Sequence, residues 1–165
     1  MKIEHQDILK YLRSRKFGEV TFSRYDIATG LECEKQFDFI LKEALQFLLL
    51  CHQSHLETIF ASHEPKHNLC LITIQFHDQS LSNLFIDGST VNDQEFKKQI
   101  EIVSKNGLYR FNSADERGFS SNFIRPGNYY PDYNETSLDN IWLSNLIYQI
   151  KESIEKKKII HLGGI

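Results

Sequence analysis

Between Phe37 and Cys51 the chain carries a segment whose pattern leaves almost no choice but a buried helix. Phe37, Ile40, Leu41, Ala44, Leu45, Leu48 and Leu49 recur at steps of three and four, and Phe39, Phe47 and Leu50 widen the stripe until little polar face is left. A helix that is apolar nearly all round belongs inside a protein. The run is too short to span a bilayer, and Asp38, Lys42 and Glu43 interrupt it. The spacing predicts a central core helix from about Glu32 to Phe60.

The flanking segments supply what such a helix must pack against. Residues 5–15 read as a short helix with Ile8, Leu9, Tyr11 and Leu12 on its apolar side. Val20 to Ile27 alternates loosely and reads as a strand or a short helix, with the strand favoured. LCLITIQF, residues 69–76, is rich in β-branched and aromatic residues, and Leu81 to Ile86 follows the turn signal HDQS as its antiparallel partner. Asn92 three residues before Glu95 resembles a capping box, so Phe96, Ile100 and Val103 are expected on one face of a helix. LYRF offers a further strand. Ser137 opens a last helix on which Leu138, Trp142, Leu146, Ile150 and Ile154 run at steps of four, and Ile159, Ile160 and Leu162 suggest a final strand. A length of 165 residues is that of one domain, and 41% hydrophobic with 25% charged residues is the composition of a folded one. The expected architecture is α+β, one domain over 1–165: a small antiparallel sheet packed against a long buried central helix and a C-terminal helix.

Charge and cysteine usage narrow the function. A net charge of −3 with a pI near 6.2 argues against a dedicated nucleic-acid binder and suits a basic partner. The opening MKIEHQDILKYLRSRK turns charged before any apolar run, so no secretory leader is expected. Three widely spaced cysteines do not make a disulfide framework. The expected compartment is the reducing cytoplasm, with no membrane association.

Three constellations carry the candidate chemistry. Cys51, His55, His63, His67 and Cys70 are zinc-ligand types in a short span, although no finger spacing is present and Pro65 separates His63 from His67. The alternative is that both cysteines pack as small hydrophobes and the histidines are solvated. Second, ILKYLRSRKFGEVTFSRYDIATGLECEKQFDFILKEAL resembles the opening of a winged-helix domain, which implies a DNA-binding regulator. Its would-be recognition helix, however, carries Glu32, Glu34, Asp38 and Glu43 against Lys35 and Lys42.

The third constellation is RGFSSNFIRPGNYYPDYNET within an irregular aromatic-rich stretch, 112–136. Phe119, Phe123, Tyr129, Tyr130 and Tyr133 are costly to leave in water. With Arg117, Arg125, Asp115, Glu116 and Asp132 they form the expected partner-binding surface, unless the rings complete the core. No Gly-rich phosphate loop, Gly-x-Ser-x-Gly elbow or His-Glu-x-x-His run occurs, and neither an enzyme nor a cofactor is expected. The sequence-level expectation is a small cytosolic protein-binding module, similar in kind to bacterial immunity proteins and antitoxins, whose partner is a protein such as a basic toxin nuclease.

Overall fold

The computed structural model describes residues 5, 8–10, 12, 17–29, 34–66, 68–89, 97–113 and 141–163. Its elements run β1 (Val20–Ala28), α1 (Glu34–Cys51), β2 (Leu56–Glu64), β3 (Leu69–Phe76), β4 (Leu81–Asp87), β5 (Lys97–Ser104), β6 (Gly107–Asn112), α2 (Ile141–Lys156) and β7 (Ile160–His161). All seven strands join one sheet in the order β6-β5-β1-β4-β3-β2-β7. β1 and β4 pair in parallel, Phe22 opposite Leu81 through Ala28 opposite Asp87. Every other pairing is antiparallel.

This corrects the expected small antiparallel sheet against a long central helix. Two segments account for the difference. The central helix stops at Cys51, and Leu56–Glu64 is a strand in which Leu56, Ile59 and Ala61 are buried. Its Thr, Ile and Phe are good strand formers, and the bulge between Leu56 and Thr58 blurs the alternation that would have marked it. Lys97–Ser104 is also a strand rather than a helix. Its buried positions are Lys98, Ile100, Ile102 and Ser104, a period of two carried partly by polar residues.

The core lies on one side of the sheet. Leu41, Ala44, Leu45 and Leu48 of α1 are sealed against Tyr25 and Ile27 of β1, Ile72 and Ile74 of β3 and Leu84 and Ile86 of β4. α2 adds Leu143, Leu146, Ile147 and Ile150 over β2. Buried Ser153 fastens that helix, accepting from the Ala61 N–H at 3.0 Å and donating to the Lys158 carbonyl at 2.7 Å. The winged-helix expectation ends here, because Val20–Ala28 is a central strand and α1 has its apolar faces buried rather than free to enter a groove.

No described element covers the opposite face of the sheet. Phe60, Leu71, Leu81 and Leu108 are exposed on it, and its charges are matched locally by Arg24–Asp26 at 2.7 Å and Arg110–Glu101 at 3.2 Å. A reversal at Gly18, with φ +84°, leads into β1. A Cβ there would meet the Asn106 side chain at 3.0 Å, so glycine is required. No described helix is long and apolar enough to cross a membrane.

Candidate functional site

Two clusters of buried polar groups lie between α1 and the sheet. The first surrounds His52, the residue after α1, whose N–H still donates to the Leu48 carbonyl at 3.2 Å. Its ring stacks on Phe76 with centroids 4.0 Å apart and planes at 10°. Nε2 lies 2.8 Å from Ser23 Oγ and 2.9 Å from Ser82 Oγ, the two serines that face each other across the parallel β1–β4 pair. Those hydroxyls are also hydrogen-bonded to one another. On the other side Nδ1 is 2.9 Å from Ser80 Oγ, which donates to Asp78 Oδ1 at 2.6 Å.

The tautomer follows from counting protons. Ser80 gives its only hydroxyl hydrogen to Asp78, so Nδ1 must carry a hydrogen and donate to Ser80. Nε2 is then the bare acceptor for a serine. A neutral imidazole satisfies every partner, and burial holds His52 in that form by pulling its pKa down to about 4, against the opposing pull of Asp78. Asp78 is itself held below the usual carboxylate range. Partial burial would push it up, but hydrogen bonds from Ser80 and the nearby imidazole outweigh that.

A hydroxyl, an imidazole and a carboxylate in line have the form of an activated nucleophile. Two facts rule against that use. Ser23 and Ser82 are fully buried, so no substrate reaches them, and an imidazole with a pKa near 4 is a weak base at neutral pH. The network joins the end of α1 to the parallel β1–β4 seam.

The second cluster holds an ammonium. Lys98 of β5 is 1% exposed. Its Nζ donates to His5 Nε2 at 2.8 Å, lies 3.4 Å from Glu43 Oε1 and sits 5.0 Å from the centroid of the Tyr25 ring. The Tyr25 hydroxyl donates to the same Glu43 oxygen at 3.5 Å. His5 stacks on Phe47 with centroids 4.1 Å apart. β5, β1, α1 and His5 thus converge on one charge, and Glu43, with its side chain 21% exposed, links the group to water. Lysine, phenol, imidazole and carboxylate thus meet inside the core, and the carboxylate is the member that reaches the surface.

The expected site residues fall out differently. Asp115, Glu116, Arg117, Phe119, Phe123, Arg125, Tyr129, Tyr130, Asp132 and Tyr133 lie outside the described residues, as does His67. The remaining zinc candidates do not converge. Cys51 is at the Phe76 end of β3 and Cys70 six residues away along the strand, roughly 20 Å at a strand's rise. Burial raises the pKa of both thiols, that of Cys70 to about 12, so neither supplies a thiolate. His55 and His63 are exposed, and among the described residues no group of three or more metal-ligand types comes together. The residues that do converge were missed because His52 reads as one more solvated loop histidine and Lys98 as one more surface lysine.

No protein-family model matches the chain, and no curated protein matches it in sequence. Its fold does have matches among solved structures. The apo scyllo-inositol dehydrogenase of Lactobacillus casei superposes with a TM-score of 0.68 at 13% identity, covering 97% of this chain and 60% of that one. A myo-inositol dehydrogenase from Corynebacterium glutamicum gives 0.70 at 8% identity, over 98% and 62%. Levoglucosan dehydrogenase, in complex with NADH and L-sorbose, gives 0.67 at 10%, over 98% and 63%. The chain therefore spans about three fifths of the length of the dehydrogenases it matches. These neighbours overturn the expectation of an immunity or antitoxin protein that is no enzyme. They also overturn the expectation of no cofactor, since one of them is a complex with NADH. At such identities the likeness is one of fold, over the matched part of these dehydrogenases.

Proposed function

We propose that this chain forms the substrate-facing, sheet-bearing part of a nicotinamide-dependent oxidoreductase acting on a polyhydroxylated ring, with NAD(H) held by a separate nucleotide-binding unit. The observation that carries this reading is the near-complete coverage of the chain by about three fifths of several such dehydrogenases. What the sheet lacks supports the division. A dinucleotide-binding half is built of successive parallel strands, with a Gly-rich turn between the first strand and its helix. This sheet has one parallel pair, and no Gly-x-Gly-x-x-Gly occurs in the sequence. In the sequence, the segment after β1 has Gly30 as its one glycine, followed by Glu32 and Glu34, whose charges oppose a pyrophosphate. The described residues do not fit the dinucleotide.

Within the proposed enzyme, Lys98, His5, Tyr25 and Glu43 form a buried polar cluster whose carboxylate reaches the surface. Depleting a native extract with antibody to this chain tests the reading. NAD-linked oxidation of cyclic polyols, followed at the nicotinamide absorbance, should fall with the chain. Full retention of that activity after complete depletion contradicts the proposal.

A further inference from the structure

The sheet face turned away from both described helices carries a row of large apolar side chains. A sheet that packs on one side and meets water on the other alternates apolar inward with polar outward. Four neighbouring strands break that rule at one level. Leu108 of β6 pairs with Val103 of β5, Val103 with Phe22 of β1, and Phe22 with Leu81 of β4. Their chain neighbours Tyr109, Ile102, Ser23 and Ser82 are buried, which turns these four to the outer face. Leu108 and Leu81, at the two ends of the row, are 47% and 40% exposed. Exposed Leu71 and Phe60 carry the apolar surface on towards β2.

The charges on this face are matched within it. Arg24 sits 2.7 Å from Asp26 and Arg110 sits 3.2 Å from Glu101. The face therefore has no basic excess to draw a nucleic acid or an anionic membrane.

We propose that this face binds a second copy of the chain, sheet against sheet, with the two apolar rows laid end over end. From β6 to β4 the row reads Leu, Val, Phe, Leu. A half-turn thus sets Leu108 on the partner's Leu81 and Val103 on the partner's Phe22. A two-fold contact requires such self-complementarity, because the same patch serves both copies. Stacked sheets interdigitate their side chains about 10 Å apart, which large apolar residues fill. The area suffices. The sheet has seven strands. Spaced about 4.8 Å apart and about 23 Å long, they offer about 700 Å² per copy and about 1,400 Å² in all, the size of a stable interface. The pairing rests on no part of the oxidoreductase reading.

Light scattering on the purified chain of 19.4 kDa, from about 1 to 200 μM, should give twice that mass at the upper end, with a Kd on the order of 10 μM. Leu81→Glu and Leu108→Lys should each weaken the dimer at least tenfold with unchanged circular dichroism. An equimolar mixture of the two variants should dimerise again, because each Glu then meets a Lys only across the two copies. Tyr148→Glu, on the exposed side of α2, should dimerise like the parent.

Hydroxyl-radical labelling of the unaltered protein gives a readout that needs no variant. Labelling of Leu81 and Leu108 should fall about threefold or more between 1 and 200 μM, with Tyr148 unchanged. A monomer at 200 μM overturns the proposal, as does a dimer that survives both substitutions. Labelling that is equally low at both concentrations in a monomer assigns the cover to the chain itself and overturns it too.

Discussion

His52 stays in the core only while it is neutral. Its pKa in the folded chain is about 4 against 6.5 in the open chain, so between those values the unfolded state binds more protons. The sign follows directly. This contribution to stability is present above pH 6.5 and is lost as pH falls towards 4, by about 3 kcal/mol over the whole window. Urea unfolding at pH 7 and at pH 4.5 should show that loss, and His52→Gln should flatten it while lowering stability at pH 7.

Lys98 poses the reverse problem, since its charge is buried and must be matched. Lys98→Ala removes the Nζ donor that Glu43 and His5 share and should cost about 3 kcal/mol, whereas Lys98→Met paired with Glu43→Gln should recover more than half of it. Denaturant melts of the two variants decide. Neither His52 nor Lys98 was legible as a core residue. Their types are polar, and what buries them is a set of partners 28 to 93 residues away in sequence.

At the scale of elements, legibility followed local periodicity. The apolar stripe of α1, the β3 strand LCLITIQF and the four-residue steps of α2 declare themselves because each repeats through hydrophobic side chains. β5 did not, because Lys98 and Ser104 occupy two of its four inward positions and leave Ile100 and Val103 at a helix-like spacing. β2 was absorbed into the helix before it, since only His52 to His55 separate them. The α1 stripe makes a graded prediction. Leu45→Ala, at a position with no exposure, should destabilise by about 3 kcal/mol, and Leu50→Ala, 43% exposed, by less than about 0.5 kcal/mol. Thermal melts of the pair would show equal losses only if α1 were not seated face-down on the sheet.

For the whole molecule, the parallel β1–β4 seam matters most. It is made by a connection that leaves β1, crosses α1 and returns through β2 and β3, and no local pattern announces a pairing of strands so far apart. The seam turns a run of antiparallel hairpins into a mixed seven-stranded sheet, with both described helices on one face. That sheet matches part of several polyol dehydrogenases, and among the described residues it has one parallel pair in place of the run of parallel strands that usually carries a dinucleotide. Direct titration of the purified chain with NADH, read by nicotinamide fluorescence, tests this division most simply. No saturable binding is predicted up to about 1 mM NADH, and a Kd of about 10 μM or tighter would contradict it.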